Sequence, residues 1–449
     1  MERKYDLTRG SILRKLLLVA VPIMGMDLMQ MAYNLVDVAW LGRVGSDAVA
    51  ASSTAGFYLW LSNALLVLGR MGAEIGISQS LGRKDAADAR RYARGAVWMA
   101  VLLGAAYAVA MIAFQAPLIG FFRLREANVV ASARRYLVIT ALAMPAAFLS
   151  AAAHAAFTAS GNSRLPFIIN SAGLVFNMAL DPLLIFGAGL GVIGAAIATA
   201  SAQVLVCALA MWALKRSKHR PFETLRLLKR PDMAHIRRML KWSVPVALES
   251  LFFTFLSMLT TRLVAGYGAG AVAAVDVGSQ IESLSWLVGG GFGSAVTAFI
   301  GQNYGARRQD RIDRCVKSAL TVMAGWGVMV SLALYFLGGA MFSVFLPDPS
   351  LLPLGILYLR VMAFSELPLC VEGVASGAFR GCGQTRQSAI ASICANTSRV
   401  LLAYALSQTR LGIAGIFWGI TISTDVRVIW IVIWYFKSRH QFACKPEAA

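Results

Sequence analysis

Two aspartates inside long apolar stretches are the side chains best placed to do chemistry. Tyr33 precedes Asp37 by four residues, and Asn177 precedes Asp181 by the same interval. In a helix, this spacing puts each carboxylate on one face with its polar neighbour. An acid in an apolar helix is costly and is by default a candidate for handling protons or ions. The structural alternatives are an interfacial Asp37 and an Asp181 that supports a kink at Pro182.

Two kinds of ion chemistry are open to this pair. Carboxylates that share a buried site can hold a proton between them and release it when a cation arrives. A sodium ion needs several oxygens at once, and Asp37, Asp181, Asn177 and Thr199 could supply them. The sequence does not decide between the two ions. No cofactor and no structural metal are expected, because the four histidines show no ligand spacing.

Membrane-spanning helices are the elements that must position these residues. The chain is 58% hydrophobic and only 14% charged, with a mean hydropathy of +0.65. Soluble domains are about 25% charged. Apolar stretches of about twenty residues, long enough to cross a ~30 Å hydrocarbon core, recur from end to end. The sequence therefore predicts an all-α integral membrane protein with twelve transmembrane helices, of which the first carries Asp37 and the fifth Asp181.

The formal charge of +20 comes from basic residues that collect in alternate loops. Examples are Arg83 and Lys84, the stretch Lys215 to Lys241, and Arg307 and Arg308. This asymmetry follows the positive-inside rule, so we expect a multi-pass protein of the inner cell membrane with both termini cytoplasmic. No folded basic domain exists to bind nucleic acid. Anionic lipid headgroups are the expected partners of these loops.

The chain aligns with itself. A shift of 223 residues places Pro22 on Pro245, Gly45 on Gly268, Gln79 on Gln302 and Gly82 on Gly305. Two six-helix lobes related by an internal repeat are typical of secondary transporters, in which the cleft between the halves binds substrate. We expect a monomer. The predicted division is a cytoplasmic N-terminus (1–15), an N-lobe (16–213), a basic cytoplasmic linker (214–241), a C-lobe (242–436) and a cytoplasmic tail (437–449).

Several motifs resemble those of multidrug and toxic compound extrusion (MATE) transporters, in order and spacing, over nearly the whole chain. They are Pro22-Ile23, Gln30 to Asp37, Leu41 to Gly45, Asn177 to Pro182, Val244 to Ser250, Gly291 to Ala295 and Gly301 to Ala306. The resemblance is closest to the DNA-damage-inducible branch, which carries its coupling carboxylates on helices 1 and 5.

The resemblance implies an antiporter that exports small organic compounds, cationic or amphipathic, in exchange for protons or sodium ions. Asp37 and Asp181 match the coupling carboxylates, and Tyr33, Asn177 and Thr199 match polar residues around them. A carboxylate found in helix 10 of another branch has no clear match here, since Glu372 is slightly displaced. The second half also lacks the pair, because the repeat places Thr260 where Asp37 would stand.

Other polar and aromatic side chains are candidates for lining a substrate cavity. They are Gln30, Asn34, Glu249, Gln280, Trp286 and Glu372. For Glu249 the alternative is a structural ion pair, and for Trp286 it is core packing. Internal ion pairs are the common explanation for charged residues in membrane helices, and Arg399 with Asp425 is one expected pair.

Three rival functions remain. A flippase for a lipid-linked substrate would also use a charged central cavity. A membrane-embedded enzyme is disfavoured because no HExxH and no GxxxxGK[ST] motif occurs. A channel is disfavoured because no segment resembles a selectivity filter.

The predicted topology can be tested by labelling in whole cells. In a background without the six native cysteines, Ser217→Cys should be shielded from an impermeant thiol reagent, and Pro349→Cys should be labelled. The reverse pattern would overturn the assigned orientation.

Overall fold

The structure is a computed structural model, and it describes residues 5–124, 126–216, 221–222, 229–346 and 348–440. All regular structure within these ranges is helical. The first eight helices are α1 (Ile12–Val44), α2 (Ser46–Gly82), α3 (Ala86–Ala113), α4 (Gln115–Gly120), α5 (Ala127–Leu142), α6 (Met144–Ala159), α7 (Arg164–Pro182) and α8 (Val192–Arg216). The remaining six are α9 (Met233–Ala265), α10 (Ala269–Gly305), α11 (Gln309–Phe345), α12 (Leu352–Gly381), α13 (Thr385–Ser407) and α14 (Ile413–Ser438).

Ten of these described helices are long and apolar enough to cross a membrane. The pair α5 and α6, bent by 43° at a break beside Pro145, makes one further span. The helix α1, with 33 residues, is long enough to be the twelfth. Helices satisfy their own backbone hydrogen bonds, which is why they can cross lipid. The predicted all-α membrane fold with twelve transmembrane helices is therefore confirmed.

The chain divides into two compact units. Unit 1 comprises Met1–Asp6 and Gly25–Ser243, and unit 2 comprises Leu7–Met24 and Val244–Ala449. This division differs from the one expected from sequence, since the start of α1 belongs to unit 2 and the start of α9 belongs to unit 1. The helix α9 begins at Met233 rather than near 242. Parts of the expected N-terminus, linker and tail, namely residues 1–4, 217–220, 223–228 and 441–449, lie outside the described residues. Hydrophobicity alone assigns a helix to its own half, whereas side-chain contacts decide where it packs.

Polar contacts hold the start of α9 in unit 1. Asp232 accepts a hydrogen bond from the Ala234 N–H at 3.0 Å, which holds the pKa of this carboxyl below its usual range. His235 Nε2 lies 2.8 Å from Asp88 Oδ1. Arg238 Nη1 donates to the Tyr92 hydroxyl at 3.1 Å. These contacts explain why α9 begins at Met233, well before its apolar part.

A parallel set of contacts holds the segment before α1 in unit 2. The Leu7 N–H donates to Gln302 Oε1 at 3.0 Å, and Asn303 Nδ2 donates to the Leu7 carbonyl at 3.2 Å. Arg311 Nη1 donates to the Gly10 carbonyl at 3.1 Å. The repeat places Arg311 on Asp88. These equivalent residues hold the first helix of each half through different contacts, since Asp88 contacts the His235 ring and Arg311 donates to a backbone carbonyl.

Two matches of the internal repeat have a local explanation. Gly45 and Gly268 separate the first two helices of each half, and both adopt positive φ values, 142° and 103°, that favour glycine. Pro22 and Pro245 lie within α1 and α9, next to the residues where each helix passes from one unit to the other. A proline inside a helix removes one backbone hydrogen bond, and so favours a change of direction there.

Small residues bring helices close together in unit 2. A Cβ added to Gly293 of α10 would lie 2.6 Å from the Gly373 carbonyl oxygen of α12, and one added to Gly377 would lie 2.5 Å from the Gly293 carbonyl oxygen. Close backbone approach of this kind is a main source of helix association in membranes.

We expect Gly293→Ala to destabilise the protein by about 1–3 kcal/mol, because the new methyl group has no space against α12. Gly290→Ala is the matched control, since it lies on the same helix with nothing within 4 Å of its added Cβ. Thermal unfolding in detergent measures both. Equal melting temperatures for the two variants would contradict the close packing of α10 on α12.

Candidate functional site

Asp181 and Asn177 form an unsatisfied polar pair in the interior of unit 1. Their side chains lie on α7, and the two residues are 0% and 1% exposed. Within the described part of the chain, neither Asp181 oxygen has a hydrogen-bond partner, and neither does the oxygen or nitrogen of the Asn177 amide. Buried polar groups are nearly always paired in proteins. Orphaned groups in this number point to a binding site.

The backbone after Asp181 departs from the α-helix. Pro182 ends α7, and Leu183–Gly187 forms a π-helical turn, a feature that is frequent at functional sites. The structural alternative for Asp181 was support of this kink. Its carboxylate bonds no backbone group in the described residues, which argues against that alternative.

Asp37 approaches the same place from α1. One of its oxygens, Oδ1, is buried without a hydrogen-bond partner among the described residues. Its carboxylate interacts electrostatically with that of Asp181, and the Tyr33 phenol interacts with both. About 10 Å of helix separates Asp37 from the end of α1 at Val44. This interaction brings the two acids into one region of unit 1, although they come from helices far apart in sequence.

The other predicted members of the site, Tyr33, Asn177 and Thr199, line a cavity in unit 1 whose lining does not include the two acids. The Tyr33 hydroxyl and the Thr199 hydroxyl of α8 share a hydrogen bond of 3.2 Å. Tyr33, Thr199, Asn177 and Gln30 line one cavity of about 150 Å³. Its further polar lining residues are Ser150, Asn170 and Gln203. This volume is well below the ~300–1,000 Å³ of sites for drug-sized ligands, so it suits an ion and water better.

Tyr136 of α5 is a member of the site that the sequence did not reveal. It is 4% exposed and interacts electrostatically with Asp37, Tyr33 and Asp181. Tyr136 follows Arg134 and Arg135 near the start of a predicted span, and a tyrosine in such a position is typical of a membrane interface. Spacing along one helix gives no signal for a side chain that a different helix supplies.

A larger cavity of about 560 Å³ lies in unit 2, within the range for drug-sized ligands. Four charged side chains line it, namely Asp276, Glu282, Arg399 and Arg427. The aromatic lining consists of Phe253, Trp286 and Tyr358. Of the predicted cavity residues, Gln280 and Trp286 therefore lie on its wall, and Gln280 Nε2 donates to Asp276 Oδ2 at 3.3 Å.

The remaining cavity candidates have local partners. Asn34 Oδ1 accepts a hydrogen bond of 3.1 Å from Gln30 Nε2 on the same helix. Glu249 lies 3.5 Å from Arg380, and Glu372 lies 2.6 Å from Arg427. Neither glutamate lines the cavity of unit 2. The structure thus pairs both of them, as the ion-pair alternative for Glu249 proposed.

The expected pairing of Arg399 with Asp425 is wrong. Arg399 donates to the hydroxyls of Ser423 and Thr424 instead, at 3.4 and 3.1 Å. Successive residues on a helix point in directions about 100° apart, so contact with Thr424 turns Asp425 away. Asp425 Oδ1 has no hydrogen-bond partner in the described ranges.

Comparison with known proteins agrees with this architecture. A family model described as MatE matches residues 22–183 and 245–405, one match in each half. The "Probable multidrug resistance protein NorM" of Thermotoga maritima is 24% identical over 415 residues, which cover 91% of this chain and 89% of that protein. The "FAD transporter" of Shewanella oneidensis is 24% identical, and the alignment covers 100% of this chain and 99% of that protein.

The fold also matches a solved structure described as the outward-facing conformation of a multidrug resistance MATE family transporter. Its TM-score is 0.92 at 20% sequence identity, with 98% of this chain and 99% of that chain covered. The apolar spanning helices and the family match in each half define a multi-pass membrane transporter rather than an enzyme. The chain belongs to the MatE family.

Proposed function

We propose that the protein is a secondary active antiporter of the cell membrane, with both termini cytoplasmic. It exports small organic compounds, cationic or amphipathic, in exchange for protons or sodium ions by alternating access. The observation that carries this proposal is the pair of carboxylates, the half-buried Asp37 and the buried Asp181, three of whose four oxygens are buried without partners in the described chain.

The pair suits ion coupling for an electrostatic reason. A buried carboxylate that has no partner must be neutral or must hold a cation, because an isolated buried charge costs many kcal/mol. The small cavity around Tyr33, Asn177 and Thr199 offers room and oxygens for either ion. Ion occupancy therefore changes the free energy of this interior, and that change can bias two conformations of the protein.

The large cavity of unit 2 suits the organic substrate. Its volume of about 560 Å³, its aromatic side chains and its few charged groups are typical of sites for drug-sized molecules. The relatives named as multidrug resistance proteins and as a FAD transporter support transport of organic compounds of this size.

The two aspartates should act as one coupling site. We expect Asp37→Asn and Asp181→Asn each to reduce gradient-driven efflux from proteoliposomes to the level of protein-free vesicles. Equilibrium substrate binding should persist, because the organic substrate is held elsewhere. The double variant should be no worse than either single one, since two residues that serve one function are not additive.

Asp47→Asn is the control for loss of one negative charge, because Asp47 is exposed in the first turn of α2 and outside the site. In wild type, substrate affinity should depend on pH or on sodium, and both site variants should lose that dependence. Full gradient-driven efflux by either single variant would refute the coupling role.

A further inference from the structure

Arg399 brings a guanidinium to the wall of the unit 2 cavity without a carboxylate partner. Its Nε and Nη2 donate to the Ser423 and Thr424 hydroxyls of α14, and its guanidinium carbon lies 5.7 Å from the centre of the Phe253 ring. No ion pair within 4 Å joins it to an acid in the described part of the chain. A guanidinium has five N–H donors, so several remain open to a ligand.

Arg427 lines the same cavity but differs in this respect. Its Nη2 lies 2.6 Å from Glu372 Oε2, and its Nη1 donates to Asn396 at 3.4 Å. The positive charge of Arg427 is therefore neutralised by a partner inside the protein. Arg399 is the arginine of this wall that keeps its charge available.

Each of the two acids that line the cavity accepts a hydrogen bond from a neutral side chain. Glu282 Oε2 accepts a hydrogen bond from the Tyr358 hydroxyl at 2.9 Å, and Asp276 accepts one from Gln280. Arg399 acts on Glu282 only at longer range. Arg399, Asp276 and Glu282 thus present charges on this wall that do not cancel through direct pairs.

We propose that Arg399 is a specificity-determining residue that binds the carboxylate of a zwitterionic aromatic substrate in this cavity. Asp276 and Glu282 receive the cationic end, and Trp286, which is 44% exposed, packs against the aromatic body. Arginine suits the first task because its planar fork matches a carboxylate in two parallel hydrogen bonds. The proposal rests on the proposed export of organic compounds and narrows their class.

The test uses two dyes that share one aromatic cation and differ in one group. Rhodamine 110 carries a free carboxylate, and rhodamine 123 is its methyl ester. Binding to the full-length protein is measured in detergent without any gradient. Arg399→Gln keeps a polar side chain near Ser423 and Thr424 but removes the charge. Arg360→Gln is the matched control, since this exposed arginine of α12 also lies over an aromatic ring, that of Tyr335.

We expect wild type to bind rhodamine 110 more tightly than rhodamine 123. Arg399→Gln should weaken rhodamine 110 binding about 10- to 100-fold, the range for losing a charged hydrogen bond. Its effect on rhodamine 123 should be less than about threefold, and Arg360→Gln should change neither. Arg399→Lys, which keeps the charge but not the fork, should fall between wild type and Gln in carboxylate preference.

Three results would overturn the proposal: a wild type without carboxylate preference, an equal loss of both dyes in Arg399→Gln, or unchanged rhodamine 110 binding in that variant. If Arg399→Gln does not fold, the proposal is decided by the preference of Arg399→Lys for rhodamine 110 over rhodamine 123, compared with the preference of wild type. Dye binding is measured without an ion gradient. If the protein prefers the carboxylate dye but shows no gradient-driven transport, the proposed antiport is refuted and the proposed role of Arg399 stands.

Discussion

An acid buried without a partner is the constraint on which the rest of this structure depends. Asp181 is 0% exposed, and both its oxygens lack hydrogen bonds within the described residues. A charged carboxylate in such a place destabilises the surrounding helices unless a proton or a cation neutralises it. A proton or a cation bound by Asp181 would therefore stabilise unit 1, as the proposed coupling requires.

The internal repeat supplies the framework of each half but not its chemistry. Proline in the first helix, glycine after it and glutamine at the end of the second recur at equivalent positions. Asp37 has no such counterpart. Thr260, which stands in its place, is buried and donates its hydroxyl to the Leu256 carbonyl of its own helix. The two halves therefore share packing requirements, while the acid pair belongs to unit 1 and the drug-sized cavity to unit 2.

Much of the fold could be predicted from sequence because a membrane helix is specified by local composition. Helix type, the number of spans and the positions of the two acids follow from hydrophobicity and from spacing along one helix. Tyr136 and the hydroxyl partners of Arg399 could not be predicted, because different helices bring these side chains together. The same reason explains the starts of α1 and α9, whose contacts with Gln302 and with Asp88 decide which unit they join.

The most direct test of antiport begins with equal substrate concentrations inside and outside proteoliposomes. A proton gradient is imposed in one arm and a sodium gradient in the other. Antiport predicts that one of these gradients drives substrate against the ion flux, so that substrate accumulates on the side where the ion is more concentrated, because ion movement through the Asp37 and Asp181 site is tied to substrate movement. Substrate that stays equal on both sides under both gradients, in vesicles that still equilibrate an unequal load, would contradict it.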